Sequence, residues 1–318
     1  LSAYLNPMDL TRRSATLGIA SLPFAARAQS ASFSGAMDRA RGLDQLHAIV
    51  IAHRGQIALA EALRGPAPNR PVNVKSVSKT VVAALAGIAI DNGVLPGTGA
   101  TLEEVAPRLI PSGADPRVRG ITVADLLSLQ AGLERTSGPN YGEWVASRNW
   151  VANALSRPMV AEPGTRMLYS TGTTHILGAA LSEATGRSLL ELARDWLGAP
   201  LEIDIPAWTR DPQGRYLGGN EMALSPLALI RLGETFRQGG VWQGRRVVSG
   251  AYVEASFTAR TATFAASAPS ADSTVSSENS FPRPPKCSLV VKASSGWLNR
   301  SACRGTSARQ SPLCGTMA

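Results

Sequence analysis

An almost unbroken apolar run over residues 81–90 is the feature that most limits how this chain can fold. A helix that is apolar on every side has to lie inside a protein core or a membrane. The run is too short to cross a bilayer, which takes about 20 apolar residues. Asn92-Gly93 follows it in the manner of a glycine C-cap. The sequence therefore predicts a buried helix, and 318 residues are enough to build a core around it.

The rest of the pattern predicts a few strands followed by many helices. Residues 46–60 are typical of two strands joined at Arg54-Gly55, and both faces are apolar, so we expect a largely buried hairpin. Residues 121–127 begin a helix that Thr122 and Asp125 can cap reciprocally. Further helices are predicted over residues 173–184, 188–197 and 227–237, the last with proline in its first turn. This order indicates an α+β fold.

The positive charge of the chain does not indicate nucleic-acid binding. The formal net charge is +9, but residues 1–28 carry +2 of it and residues 259–318 carry +5. The 230 residues between them carry only +2, which gives no electrostatic footprint for a polyanion.

The N-terminal residues have the pattern of an export signal. Arg12-Arg13 precedes an apolar stretch over residues 15–24 and a small-x-small cleavage pattern at residues 26–28. We therefore expect residues 1–28 to be a twin-arginine signal peptide and the mature protein to be periplasmic or secreted. An ordinary N-terminal helix is the alternative. The chain offers no stretch typical of a stable membrane span.

The composition changes near residue 258. Residues 259–318 are rich in Ser, Ala, Pro and Arg, contain no acidic residue after Glu278, and hold all three cysteines. The only strand-like cluster there is Leu289-Val290-Val291. We expect residues 29–258 to form the domain and residues 259–318 to be a disordered or aberrant tail, the second alternative being translation in the wrong frame. Reading the gene in its other two frames from codon 255 onward tests that hypothesis.

Ser76 and Lys79 form a Ser-x-x-Lys motif at the start of the predicted buried helix. The i,i+3 spacing places both side chains on one helical face. A serine hydroxyl is a weak nucleophile until a base removes its proton, and a desolvated lysine can be that base. The motif alone is common, but Lys75 and Lys79 are the only lysines before residue 286, in a chain that otherwise uses arginine. The alternative is a solvated lysine without a catalytic role.

Tyr169-Ser170-Thr171-Gly172 follows some 90 residues later, just before another predicted helix. A phenol beside a lysine ammonium can relay a proton and act as a second acid–base group. Without further context, a core aromatic residue is the simpler interpretation of Tyr169.

Together these motifs resemble the serine β-lactamase and penicillin-binding-protein superfamily, on its class C and esterase side. The connecting segments match in order over roughly residues 44–256, with similarity to the 6-aminohexanoate-dimer hydrolase and carboxylesterase branch; the matching segments are residues 121–133, 157–165, 211–214 and 223–229. The resemblance implies a serine β-lactamase-like fold, in which a helical region lies beside an antiparallel sheet with flanking helices. It implies that Ser76 forms an acyl-enzyme and that Lys79 and Tyr169 share the base and acid roles. No metal or organic cofactor is implied.

The chain departs from the family pattern in two places. Thr171 stands where the family usually has asparagine, which we interpret as a substrate-binding position with altered preference. The family's third motif, Lys-Thr-Gly or His-x-Gly on a late strand, has no match beyond residue 258, so we expect late strands of the sheet to be missing. The leading hypothesis is a hydrolase of a small-molecule amide or ester, with the substrate and the oligomeric state left open. The alternative is an inactive remnant or a non-catalytic binding protein.

Overall fold

A computed structural model describes residues 33–260 and the backbone of residues 290–293. The predicted signal peptide, the three cysteines and all but a few residues of the predicted tail lie outside the described residues. The described helices are α1 Ser34–Arg41, α2 Ser78–Asp91, α3 Leu102–Val105, α4 Val123–Leu127, α5 Tyr141–Ala146, α6 Trp150–Leu155, α7 Thr171–Thr185, α8 Leu189–Ala193, α9 Ala199–Leu201, α10 Pro226–Arg237 and α11 Gly250–Phe257. The strands are β1 Ala48–His53, β2 Gln56–Ala62, β3 Val72–Asn73, β4 Ala223–Leu224, β5 Val241–Trp242, β6 Arg245–Arg246 and β7 Val290–Ala293.

The predicted N-terminal hairpin forms the main sheet, in the order β2-β1-β7. Arg54 and Gly55 make the turn, both with positive φ, and β1 is buried along almost its whole length. The expectation of a largely buried hairpin is wrong for β2, where Ile57 is 48% exposed. β2 is an edge strand of the described sheet, so its outer face meets solvent although its sequence is apolar.

β7 brings one strand of the tail into this sheet. It pairs antiparallel with β1, with Val291 opposite Val50. The strand lies at the strand-like cluster of the tail, so the expectation of missing late strands is corrected at this position.

The apolar run forms the buried helix α2, as predicted. Val82, Leu85 and Ala86 are fully buried in the main core. Helix α11 packs so tightly on α2 that a Cβ at Gly87 would lie 2.4 Å from the ring of Tyr252. Close helix packing therefore needs glycine at this point of the core.

Local capping signals set the ends of the surrounding helices. Thr122 and Asp125 make the predicted capping box at the start of α4. Ser225 caps α10, whose first residue is proline, and Gly186 ends α7 with φ +68°. These confirmed elements give the mixed α and β architecture that the sequence predicts.

The short sheet β3-β4 ties the start of α2 to a distant part of the chain. Val72 pairs with Leu224 and Asn73 with Ala223. The pairing brings Gly219 to Lys79 and Met222 to the start of α2. Within the described residues, no helix combines the length and the apolar character needed to cross a membrane.

Candidate active site

Ser76 lies in a tight 3-10 turn that leads directly into α2. The turn Lys75–Val77 begins with Lys75 in the left-handed region, at φ +49°. The Lys75 N–H donates to Asn73 Oδ1 at 2.8 Å, and Ser78 Oγ donates to the Lys75 carbonyl at 2.5 Å. Ser78 Oγ also accepts from the Met222 N–H at 3.1 Å. Hydrogen bonds to Asn73 and Ser78 thus stabilise the strained turn, which places Ser76 at the N-terminal end of a helix.

Lys79 lies one turn after Ser76 and is the centre of the site. Its Nζ is 3.4 Å from Ser76 Oγ and 3.4 Å from Thr171 Oγ1. The shortest bond from Nζ goes to the Gly219 carbonyl, at 2.6 Å. The structure therefore brings together the two members of the Ser-x-x-Lys motif.

Burial lowers the pKa of Lys79 to about 8. A cavity of about 50 Å³ lies beside its side chain, with Leu126, Leu129 and Leu177 among its lining residues. An apolar surrounding disfavours the charged ammonium, so about a tenth of Lys79 is neutral at pH 7, where an ordinary lysine is almost entirely charged.

Tyr169 also reaches Lys79, but with its ring. The Lys79 Nζ lies 4.9 Å from the centre of the Tyr169 ring, which is the geometry of a cation–π contact. Tyr169 is 43% exposed. Among the described residues, none forms a hydrogen bond with its phenol oxygen. Tyr169 therefore forms one wall of the site and is partly open to solvent.

Thr171 is the first residue of α7 and belongs to a buried network of hydroxyl groups. Its N–H donates to Ser137 Oγ at 2.9 Å, and the two hydroxyl oxygens are 3.0 Å apart. Thr136 Oγ1 lies 3.2 Å from Ser170 Oγ and accepts from the Gly172 N–H at 2.7 Å. Thr136 and Ser137 were not identified from the sequence, although both follow closely on the family segment at residues 121–133.

Residues 219–221 complete the described site from a distance of about 140 positions along the chain. Glu221, with φ +66°, forms an ion pair with Lys75 at 3.0 Å and accepts from Asn73 Nδ2 at 2.6 Å. Lys75 is thereby held by a carboxylate, whereas the hydrogen-bond partners of Lys79 Nζ within the described residues are neutral groups. No sequence pattern links Gly219 or Glu221 to the serine motif, because their approach depends on the β3-β4 pairing.

Among the described residues, no group of three or more His, Cys, Asp or Glu side chains is placed to hold a metal ion. The positions at which a third motif was sought lie beyond residue 258, where the structure describes only residues 259–260 and the backbone of β7. The residues brought together are Ser76, Lys79, Tyr169 and Thr171, and they can support attack by a serine hydroxyl with a lysine as its base.

Comparison with known proteins identifies relatives of this arrangement. The family model described as Beta-lactamase matches residues 38–236. A protein assigned as fimbrial assembly protein FimD, serogroup H1, of Dichelobacter nodosus is 30% identical over 157 residues, or 45% of this chain and 39% of that protein. The chain thus spans about two fifths of the length of this relative.

Solved structures share the fold at low sequence identity. EstCE1, a hydrolase with promiscuous acyltransferase activity, has a TM-score of 0.58 and 20% identity, covering 72% of this chain and 77% of its own. A protein from Bacillus anthracis assigned as 6-aminohexanoate-dimer hydrolase has a TM-score of 0.58 and 15% identity, covering 70% and 60%. At this level of sequence identity, the similarities show a shared fold.

Proposed function

The chain belongs to the β-lactamase family, and we propose that it is a serine hydrolase that cleaves amide or ester bonds through an acyl-enzyme on Ser76. The observation that carries the proposal is the Lys79 amine, 3.4 Å from Ser76 Oγ and with its pKa lowered to about 8 by burial. In this arrangement the serine hydroxyl is the nucleophile, and the partly neutral lysine amine is the base that removes its proton.

The proposed reaction has two stages. Neutral Lys79 takes the proton of Ser76 as Oγ attacks the carbonyl carbon, and a tetrahedral oxyanion forms beside the N-terminal end of α2. The oxyanion collapses, the carbon–nitrogen or carbon–oxygen bond breaks, and the leaving group receives a proton. Water then attacks the ester on Ser76, releases the acid and restores the serine hydroxyl.

Tyr169 is proposed to supply the proton to the leaving group. Tyr169 is 43% exposed, so that a departing group can reach it, and its ring lies 4.9 Å from the Lys79 Nζ. Thr171 and Ser137 are proposed to bind the substrate. Thr171 stands at the position where the family usually has asparagine.

The proposal predicts how the rate of Ser76 acylation changes with pH. Lys79 is active when neutral, and its pKa is lowered to about 8. Acylation of Ser76 should therefore accelerate as pH rises through about 8 and level off above it.

The direct test is covalent labelling of purified protein with a fluorophosphonate and with a fluorescent penicillin. The wild type should be labelled stoichiometrically, Ser76→Ala should not be labelled, and Ser256→Ala on α11 should be labelled like the wild type. Folded wild-type protein that neither reagent modifies at Ser76 contradicts the proposal. Penicillin labelling favours β-lactam or D-alanyl peptide substrates, whereas labelling by the fluorophosphonate alone favours esters and other amides.

A non-catalytic binding protein is the second candidate. It is favoured by the Tyr169 phenol, which has no hydrogen-bond partner among the described residues, and by the missing match to a third motif. This candidate predicts saturable, reversible binding of a penicillin or ester without any covalent product.

Export is part of the proposal, resting on the twin-arginine pattern at residues 11–28. The protein should be recovered from the periplasm or medium of a host with a twin-arginine system. Replacing Arg12 and Arg13 by lysine should retain it in the cytoplasm, and equal export of that variant would contradict the assignment.

A further inference from the structure

A buried His175–Asp211 pair lies behind the site and has no part in the proposed acyl transfer. His175 Nε2 is 3.2 Å from Asp211 Oδ2, and both side chains are completely buried. The rings of Trp144 and Trp150 meet the imidazole edge-on. Burying an ionisable pair costs free energy unless every polar atom is satisfied, so the partners of this pair indicate what it does.

The hydrogen bonds around the pair define its protonation state. Asp211 Oδ1 accepts from the backbone N–H groups of Gln213, at 2.9 Å, and Arg215, at 2.8 Å. Burial alone would raise the pKa of Asp211, but the hydrogen bonds from His175 and from the Arg215 backbone lower it below its usual value, so the group is a carboxylate. Its Oδ2 can accept only from an Nε2–H of the imidazole.

The other ring nitrogen of His175 fixes the tautomer. The Gly218 N–H donates to His175 Nδ1 at 3.2 Å, which requires a lone pair on that nitrogen. The network therefore assigns a neutral imidazole with its proton on Nε2, held so by Asp211, as a carboxylate holds the tautomer of a catalytic histidine.

The chain of contacts continues to Lys79. Gly218 is followed by Gly219, whose carbonyl accepts from Lys79 Nζ at 2.6 Å. Neither glycine tolerates a side chain here, because a Cβ at Gly218 would lie 2.5 Å from the Thr174 carbonyl and one at Gly219 2.9 Å from the Thr171 carbonyl. The segment is pressed onto α7, and the bond from Gly218 to His175 fixes the Leu217–Gly218 peptide. One further peptide separates it from the Gly219–Asn220 peptide, whose carbonyl faces the lysine.

We propose that His175 and Asp211 are positioning residues, which use the Nε2–H tautomer of the imidazole to hold the Gly219 carbonyl against the Lys79 ammonium. The pair would thereby set how readily the lysine releases its proton. The role of this pair in catalysis rests on the proposed function, but its effect on the pKa of Lys79 does not.

Other charged and titratable groups face these residues and are not themselves substituted in the test. The Lys75–Glu221 ion pair and the Tyr169 ring lie on the Lys79 side. On the His175 side, Arg215 Nη1 lies 3.7 Å from Asp211 Oδ2.

Three substitutions test the individual hydrogen bonds between Asp211 and Gly218. Asp211→Asn keeps an oxygen for the backbone donors but turns an N–H toward His175 Nε2, so the imidazole proton should move to Nδ1 and oppose the Gly218 N–H. His175→Gln keeps a donor near the Nε2 position and loses the acceptor for Gly218. His175→Asn keeps an acceptor near the Nδ1 position and loses the contact with Asp211. Trp150→Phe is the control, because it disturbs packing on the same ring without touching the chain of hydrogen bonds.

The readout is the titration of Lys79 by NMR on protein labelled with 13C,15N-lysine, which is practicable because the chain has four lysines. A hydrogen bond to the charged form raises a pKa, so loss of the Gly219 carbonyl should lower the pKa of Lys79 by about 1. We expect this in Asp211→Asn and His175→Gln, with wild-type values in His175→Asn and Trp150→Phe. The rising limb of Ser76 labelling against pH should move by the same amount.

Imidazole 15N shifts of the three histidines report the tautomer directly. An Nδ1–H tautomer for His175 in the wild type overturns the inference, even if no variant folds. So does an unchanged Lys79 titration in folded Asp211→Asn or His175→Gln protein. Failure of Ser76 labelling in the wild type contradicts the proposed function instead, and leaves the lysine titration as a separate measurement.

Discussion

Lys79 shows how one residue can serve a reaction and weaken the fold. Its amine lies beside leucine side chains, and that burial lowers its pKa from 10.5 to about 8. Each unit of pKa corresponds to about 1.4 kcal/mol, so keeping Lys79 charged at pH 7 costs the folded state up to about 3 kcal/mol.

We therefore expect Lys79→Met to abolish Ser76 labelling and to raise the free energy of unfolding at pH 7 by about 1–3 kcal/mol. Urea unfolding followed by circular dichroism measures the change. Between pH 8 and 10.5 the unfolded wild type binds a proton that the folded protein has released, so wild-type stability should rise with pH in that interval. Lys79→Met should lack this rise, and an equally steep rise in the variant would show that another group causes it.

Tyr169 presents two separable features: a ring that faces Lys79, and a phenol hydroxyl that has no hydrogen-bond partner among the described residues. Tyr169→Phe keeps the cation–π contact, so the pKa of Lys79 should stay unchanged while turnover falls by about 10² to 10⁴-fold. Tyr169→Ala removes both features and should shift the Lys79 titration as well. Hydrolysis of a reporter ester and lysine NMR distinguish the two effects. Full activity in Tyr169→Phe would exclude the phenol as an acid–base group.

At the scale of elements, the start of α7 is joined to residues 136–137 by side-chain hydroxyl groups. Thr136 is buried and accepts from the Gly172 N–H at 2.7 Å. Thr136→Val keeps the shape but leaves that N–H unsatisfied, so the free energy of unfolding should fall by about 1–3 kcal/mol.

Thr235→Val is the matched control for this substitution. Thr235 is equally buried, but its hydroxyl donates to a carbonyl of its own helix, that of Arg231. Its replacement should cost less in the same urea unfolding experiment. Equal losses in the two variants would mean that burial of a hydroxyl, and not the bond to Gly172, accounts for the effect.

Elements with local signals could be predicted from the sequence. The capping box at Thr122, the proline at the start of α10 and the apolar run of α2 each act over a few residues, and each element formed as expected. The exposure of β2 could not be predicted, because an apolar strand gives no sign of whether it lies at the edge of its sheet.

The same limit applies to the site. The spacing of Ser76 and Lys79 is local to one helix, and the structure places them together. Gly219 and His175 act through contacts over 140 and 43 positions, which no pattern in a single sequence encodes. The position of His175 directly before the apolar stretch over residues 176–181 was a signal, since a fully buried imidazole needs partners for both of its nitrogens.

At the scale of the whole molecule, the hairpin near the start of the domain meets a strand of the tail in one sheet. β1 is the central strand of the described sheet, between β2 and β7, and Val50 at its middle is completely buried. The tail that supplies β7 is the segment whose composition predicts disorder or a change of reading frame. Both hypotheses stay predictions, and the frame comparison of the gene tests the second.

The contribution of β7 can be measured through its backbone. Proline at position 291 has no N–H and disfavours the pairing with β1, which would leave one edge of that strand uncovered. Val291→Pro should therefore lower the free energy of unfolding by about 1–3 kcal/mol, measured in urea, and promote self-association detectable by light scattering. Ser301→Pro, outside the strand, is the control for adding a proline to the tail. If both variants unfold like the wild type, the tail adds nothing to the sheet, and stability has to come from residues 33–260 alone.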